Sequence, residues 1–219
     1  VSGVQVSGNT FYGQYQYGVS LSSFASPVVS GNIVTSTAGS YSGYYGFYLN
    51  DFDNNFRVTK NRVHVPYSGY AYYMYNMDGT AGLRGLIANN FGSVGDSSAS
   101  TDNRYTYYVG YGSYVDVVYN NAYYGLPNGE AWYNQGNATT VTFKNNIMYA
   151  DAGAYGLYTT SAILGQDHND YFTSGTHLIY NTSTANAYAD LASWRSVSGA
   201  DANSISVNPL FASTTDLHV

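Results

Sequence analysis

The chain has 219 residues, 44% of them apolar, which is enough for one domain with a packed core. Only 9% of the residues are charged, the net charge is −6, and the seven Lys and Arg are scattered. This excludes the basic face that nucleic acid requires, and no apolar run approaches the roughly 18 residues of a membrane span. There is no cysteine, so disulfides contribute nothing to the fold.

Seven short fragments recur along the chain, each with an asparagine between two strand-like pieces, from VSGNTF near the start to QDHNDY. Their spacing of 23–31 residues predicts a solenoid of about seven rungs, each with roughly three short strands. Asparagine tolerates the left-handed backbone of a sharp corner, and stacked amides can bond to each other along the axis. We therefore predict an asparagine ladder formed by Asn9, Asn32, Asn61, Asn90, Asn121, Asn146 and Asn169.

Strand-like segments rich in Tyr and Gly lie between these corners, at residues 17–21, 45–49, 70–75, 105–111, 130–134 and 155–160. Their length suits parallel stacking, in which each strand pairs with its counterpart one rung away. Longer rungs are expected to carry their extra residues in loops, most clearly GDSSASTDNR at 95–104.

The last part of the chain has a different pattern. Residues 184–196 predict a helix with Thr184 as N-cap and with Tyr188, Leu191 and Trp194 three apart. Such a helix can lie over the flank or the end of the coil, and a final strand is expected at 204–211. The chain starts and ends in strand-like sequence, which predicts further polypeptide at both ends.

The V-x-x-N-x-h corners and Y-G-h-Y strands, where h is apolar, resemble the right-handed parallel β-helix proteins of the pectin-lyase-like superfamily over about residues 4–180. The segment DLASWRSVSGADANSISVNPLF (190–211) resembles the closing segment of β-helix domains in large bacterial surface and secreted proteins. The resemblance implies a single all-β, right-handed parallel β-helix domain over 1–219 and a secreted or cell-surface location. It also implies acidic polysaccharides as the substrates of enzymes with this fold.

The hydrolase motifs of that superfamily (N-T-D, D-D, G-H-G and R-I-K) are absent from the sequence. Two acidic groups remain as candidate catalytic or ligand residues. Asp51 and Asp53 are two apart, so on a strand they would share a face and could bind a hard cation such as Ca²⁺, or form a solvated turn. The residues Asp167, His168 and Asp170 could act as acid, base or ligand, although the repeat already predicts a turn there. No other cofactor or metal is predicted.

Tyrosine, with 27 copies, is the other candidate source of function. Outward rings that line up along the axis would stabilise the wall, at about 0.5–1.5 kcal/mol per pair, or serve as a platform for sugar rings. Strict alternation along residues 70–75 places Tyr70 and Tyr72 on one face. The predicted glycan contacts are Tyr70, Tyr72, Tyr105, Tyr107, Glu130 and Trp132.

The sequence therefore favours a non-catalytic β-helix module that contacts a polysaccharide or cell-surface glycan. A polysaccharide lyase or glycoside hydrolase is the first alternative, with a base among the scattered Arg and Lys or an acid pair as above. A purely structural spacer or adhesin stalk is the second alternative.

Overall fold

The computed structural model describes residues 2–38, 40–95, 104–136, 140–151, 153–160, 163 and 165–219. Of the predicted loop at 95–104, only the end residues 95 and 104 belong to the described residues.

Three β-sheets, parallel except for the last strand of the third, wind into a coil and confirm the predicted parallel β-helix. The first sheet contains β1 (Gln5–Ser7), β4 (Val28–Ser30), β7 (Arg57–Thr59), β10 (Gly85–Ala88), β13 (Val115–Val118), β16 (Thr142–Lys144) and β19 (Gly165–Asp167). The second contains β2 (Thr10–Tyr12), β5 (Ile33–Thr35), β8 (Arg62–Val65), β11 (Phe91–Val94), β14 (Asn121–Tyr124), β17 (Ile147–Ala150) and β20 (Asp170–Thr173). The third contains β3 (Tyr17–Ala25), β6 (Tyr44–Asp53), β9 (Gly69–Asp78), β12 (Arg104–Gly110), β15 (Gly129–Gln135), β18 (Tyr155–Thr159), β21 (Ile179–Asn181) and β22 (Asn186–Tyr188).

Each rung contributes one strand to each sheet, so the strands form seven rungs, with about six full turns between the first and the last. Residues pair with their equivalents in the next rung, as Val29 does with Val58 in the first sheet. The pairing places like side chains in files along the axis, and the inward files of the three sheets meet in one apolar core. β-Branched residues suit these short, half-buried strands, and the inward file Val29, Val58, Ile87 and Val117 is an example.

The third sheet breaks the simple alternation of inward and outward side chains. In β9, Ala71 and Tyr72 are both buried, while Tyr70 and Tyr73 on either side are only partly covered. The same two-residue inward step occurs at Thr106–Tyr107 and Ala131–Trp132. The first residue of each step is small because it lies in the crowded bend of the backbone.

Gly46 occupies this small inward position in β6. A Cβ atom at Gly46 would lie 2.3 Å from Cγ1 of Val63 and 2.5 Å from the carbonyl oxygen of Ala71. Gly46→Ala is therefore expected to lower the free energy of unfolding by roughly 2 kcal/mol, as overpacking does, measured by urea unfolding. Gly82 has open space around it, so Gly82→Ala should change stability by no more than about 0.5 kcal/mol. Equal effects of the two substitutions would contradict the close approach at Gly46.

An asparagine ladder runs along the corner between the first and second sheets. In the second rung, the backbone N–H and the Nδ2 group of Asn32 both donate to Oδ1 of Asn61, each at 3.0 Å. The other Nδ2 hydrogen donates to the carbonyl of Val6 at 2.8 Å. The same arrangement repeats through Asn9, Asn32, Asn61, Asn90, Asn120, Asn146 and Asn169.

The predicted ladder is wrong by one residue in its fifth member, which is Asn120 and not Asn121. The left-handed residue of each corner is the one that directly precedes the ladder amide, as Lys60 precedes Asn61 with φ 57°. In the fifth rung that residue is Tyr119, with φ 60°. The first asparagine of the pair therefore points inward, and Asn121 begins β14 with its Nδ2 donating to the carbonyl of Leu217.

The seventh rung is closed by helix α1 (Leu191–Ser198) and the turn that follows it. Asn169, the last ladder member, donates its backbone N–H to Oγ of Ser204 at 2.9 Å. The buried carboxylate of Asp201 accepts from Oγ of Ser204 at 2.6 Å and from the indole N–H of Trp194 at 2.9 Å. Trp194 is fully buried, so the helix supplies an apolar cover, and the turn after it supplies the acceptor that the next rung would otherwise provide.

The helix is shorter than the predicted 184–196 and begins later. Asp190, not Thr184, is the N-cap, and its carboxylate accepts from the backbone N–H of Ser193 at 2.8 Å. Residues 186–188 form β22, which pairs antiparallel with β21. Among the described residues, no helix is long and apolar enough to cross a membrane.

The predicted final strand at 204–211 is also wrong. Only Ile205 makes a bridge, to Asp170, and the rest of this segment is irregular. The chain then runs back over the second sheet, where the ring of Phe211 lies near Tyr149 and the ring of His218 packs edge-on against Phe91 at 4.8 Å. Residues 205–218 thus cover the outer face of the second sheet from the seventh rung to the fourth.

Candidate functional site

The outer face of the third sheet carries two neighbouring files of tyrosines, which we call the tyrosine face. Each file runs along the coil axis with one side chain per rung, because the strands pair in register. The files span seven strands, from β3 to β21, and six intervals of about 4.8 Å give the face a length of about 29 Å. File one contains Tyr17, Tyr45, Tyr70, Tyr105 and Tyr155, and file two contains Tyr48, Tyr73, Tyr108, Tyr133, Tyr158 and Tyr180.

Over the first three rungs, rings within a file stack, whereas rings of different files meet edge to face. In file two, Tyr48 and Tyr73 are 5.2 Å apart with their planes within 2°. Across the files, the planes of Tyr45 and Tyr48 differ by 89° at 5.5 Å. The strand spacing exceeds the contact distance of two rings, so stacked rings tilt, and the two files tilt in opposite directions. The result is a herringbone surface of ring faces, ring edges and phenol hydroxyls.

Most rings on this face are half-buried, and burial raises the pKa of several of their phenols. Burial, with smaller contributions from Tyr70, Tyr73 and Tyr17, raises the pKa of Tyr45 to about 12. Burial also raises the pKa of Tyr73 and of Tyr108. The hydroxyls therefore keep their protons at neutral pH and can both donate and accept hydrogen bonds. The face combines apolar ring surface with uncharged polar groups.

The structure places only part of the predicted glycan-contact set on this face. Tyr70 and Tyr105 lie in file one, half-exposed. The prediction for Tyr72, Tyr107 and Trp132 is wrong, because the two-residue inward step turns their side chains into the core, where they are at most 1% exposed. There they form an inner stack in which Tyr72 and Tyr107 are 4.5 Å apart, and Tyr107 and Trp132 are 4.4 Å apart.

Glu130 belongs to file one by register, since it pairs with Tyr105 in one neighbouring strand and Tyr155 in the other. Its side chain is nevertheless only 2% exposed. Burial raises the pKa of the Glu130 carboxyl well above its usual value. Glu130, which was predicted to contact glycan at the surface, is therefore buried beneath the tyrosine face.

Asp51 and Asp53 lie at the end of β6, with the buried Phe52 between them. Asp51 is in the left-handed region, with φ 52°, and each of its carboxylate oxygens accepts from an amide, one from Asn50 and one from Asn76, both at 2.9 Å. Asp53 is exposed. These contacts give Asp51 the role of fastening a bend between two rungs.

The second acidic group fastens the C-terminal segment to the seventh rung. Asp167 accepts from the backbone N–H and the Nδ2 group of Asn203, at 2.7 and 2.8 Å. Asp170 accepts from the backbone N–H of Val207 at 3.0 Å. His168 is the exposed left-handed corner residue, with φ 58°, and its Nδ1 lies 3.1 Å from Asp167. Within the described part of the chain, no three His, Cys, Asp or Glu side chains are grouped so that they could hold a metal ion.

Sequence reasoning missed nine of the file members, among them Tyr45, Tyr48, Tyr73 and Tyr108. The signal was present as tyrosines three apart around a small and a large apolar residue, as in YGFY (45–48), YAYY (70–73), YTYY (105–108) and YGLY (155–158). The two middle residues face inward and the two tyrosines face outward, so the spacing of three marks one outward pair per rung.

Comparisons of this chain with protein-family models, with curated proteins and with solved structures find no match.

Proposed function

We propose that this chain is a non-catalytic β-helix module of a secreted or cell-surface bacterial protein, of the pectin-lyase-like type, that binds a polysaccharide along the tyrosine face. The observation that carries the proposal is the herringbone of uncharged rings along seven strands, about 29 Å long by strand spacing. An extended glycan chain laid along the axis would contact a pair of rings in the second, third, fourth and sixth rungs and a single tyrosine in the first, fifth and seventh.

The chemistry of the face suits a neutral, hydroxyl-rich polymer. Tilted ring faces can pack against the apolar C–H faces of sugars, and protonated phenols can exchange hydrogen bonds with sugar hydroxyls. The amides of Asn50 and Gln135 lie beside file two and add further donors and acceptors. The rings are already ordered by stacking, so little side-chain entropy is lost on binding.

Truncation of a file ring is expected to weaken glycan binding, because the ring supplies both packing area and a hydroxyl. Tyr45→Ala and Tyr73→Ala should each reduce affinity about tenfold, which corresponds to about 1.4 kcal/mol. The measurement is a glycan array to find the ligand, followed by calorimetric titration with a soluble oligosaccharide of that type. Tyr→Phe at the same positions keeps the ring and separates packing from hydrogen bonding.

Tyr12 offers a matched control, since it is 71% exposed and lies in β2 of the second sheet. Tyr12→Ala should leave the affinity unchanged, and thermal unfolding of all variants should confirm that they are folded. Reducing-sugar and unsaturated-product assays on acidic polysaccharides should detect no cleavage. Cleavage would favour the enzyme alternative, and the absence of both binding and cleavage would favour a structural spacer.

A further inference from the structure

File one has one position without a ring, in the fifth rung. Its strand neighbours carry Tyr105 on one side and Tyr155 on the other, and Glu130 stands between them. Glu130 is the only glutamate of the chain. The backbones of the two flanking tyrosines are two strand spacings apart, about 9.6 Å, so the vacant position has the size of one tilted ring.

The Glu130 carboxyl lies beneath this position. Its Oε2 atom is fully enclosed, and no donor among the described residues reaches it. An enclosed carboxyl oxygen that lacks a donor is destabilising relative to a paired one. Tyr133 lies in the same strand as Glu130, and Tyr105, Tyr155 and Tyr158 lie in the two neighbouring strands. Burial, and to a smaller extent the charge of Glu130, raises the pKa of all four phenols.

Tyr133 fills the gap that the missing ring leaves. Elsewhere in file two the rings stack, with planes within 5° for Tyr73 and Tyr108 and 16° for Tyr158 and Tyr180. The ring of Tyr133 instead stands at 83° to Tyr108 and at 84° to Tyr158. It also contacts Tyr105 of file one, at 4.9 Å. A turn of this ring back into its own file would restore the stack and uncover Glu130.

We propose that Glu130, with Tyr105, Tyr133, Tyr155 and Tyr158, forms a subsite for an amino sugar with a free, positively charged amino group. The sugar ring takes the place of the missing file-one ring between Tyr105 and Tyr155, and its ammonium group faces the carboxylate. This inference rests on the proposed function, because it names the kind of glycan that the tyrosine face would select.

The chemistry of the subsite matches an ammonium group in two ways. The ammonium donates to the unpaired Oε2 atom and so removes the penalty of its burial. The surrounding ring faces also attract a cation, and the attraction strengthens when the cation is desolvated. An N-acetylated sugar offers neither the charge nor the small donor, and its acetyl group would have to enter the same enclosed space.

The test compares three soluble oligosaccharides of equal length in calorimetric titrations: a glucosamine oligomer, its N-acetylated form and a cello-oligosaccharide. The wild-type chain should bind the glucosamine oligomer at least tenfold more tightly than the other two at a pH where its amines are charged. Glu130→Gln keeps the shape and should reduce this preference to less than twofold. Asp53→Asn removes one exposed charge from the same sheet and should leave the preference intact.

Glu130→Tyr provides a second variant. It should complete file one, raise the midpoint of thermal unfolding and abolish the preference for the amine. Equal affinity of the wild type for the three oligosaccharides, or a preference that survives Glu130→Gln, would overturn the subsite while leaving glycan binding in place. Absence of binding to all three would overturn the subsite, and silence of the wider glycan array as well would overturn the proposed function.

Discussion

Asn120→Ala should lower the free energy of unfolding by roughly 4 kcal/mol, whereas Asn121→Ala should cost about 1 kcal/mol or less. The buried Oδ1 of Asn120 accepts from the backbone N–H and from Nδ2 of Asn90, and its Nδ2 donates to the carbonyl of Ile87 and to Oδ1 of Asn146. Alanine leaves these partners buried and unsatisfied.

Urea unfolding followed by circular dichroism measures both effects on the same scale. Asn121 makes one side-chain bond, to Leu217, at the edge of the C-terminal segment, so it is a matched control one residue away. A larger loss at Asn121 than at Asn120 would mean that the ladder passes through the second asparagine, as the sequence had suggested.

Asp201→Asn should lower the free energy of unfolding by about 3–5 kcal/mol. The buried carboxylate accepts hydrogen bonds from the groups around it, and the amide nitrogen of asparagine is itself a donor. The carboxylate accepts from the indole of Trp194 at 2.9 Å, the hydroxyl of Tyr171 at 3.0 Å and Nε2 of Gln166 at 2.5 Å, besides Oγ of Ser204. The amide nitrogen of asparagine would face at least one of these donors.

Thermal unfolding and hydrogen exchange of the seventh-rung amides are the measurements for this variant. Exchange should accelerate first at rung seven, since the closing turn holds the last ladder member, Asn169, through Ser204. Asp53→Asn, an exposed change, should leave both readouts near wild type. An unchanged unfolding midpoint in Asp201→Asn would show that helix α1 covers the coil through apolar contacts alone.

The β-helix fold could be predicted from the sequence because each rung repeats an asparagine at the same corner. The identity of the ladder residue was ambiguous where two asparagines are adjacent: at 89–90 and 145–146 the second one enters the ladder, and at 120–121 the first one does. The choice depends on which residue adopts the left-handed conformation, and tyrosine at 119 is an unexpected residue for it. The coil imposes this conformation on Tyr119 against its local preference.

The bounds of the C-terminal helix were harder to predict, because a periodic pattern of apolar residues does not show where the helix begins or ends. Tyr188, Leu191 and Trp194 are all buried, as their spacing suggested, but Tyr188 belongs to β22 and only the other two to the helix. The antiparallel return of β22 along β21 is a short hairpin, in which Oδ1 of Asn181 accepts from the backbone N–H of Ser183 at 2.9 Å, so residues 182–185 form a turn and do not start the helix.

The tyrosine face could be predicted in kind but not in detail. Strict alternation would have placed Tyr70 and Tyr72 together, and the two-residue inward step separates them. The step depends on a small residue at the bend, which only comparison between rungs reveals. The edge-on orientation of the Tyr133 ring beside Glu130 results from the absence of a ring at position 130. It could not be predicted from either residue alone.

The ladder also has a direction. In every pair of rungs the earlier asparagine donates and the later one accepts, from Asn9 to Asn169. The side-chain carbonyls therefore point toward the start of the coil, and their aligned dipoles add along the axis as peptide dipoles do in a helix. The electropositive pole falls at the seventh rung, where the carboxylate of Asp201 is buried. The stacked amides thus act as an extended counter-charge for an anion that has no cationic side chain bonded to its carboxylate oxygens among the described residues.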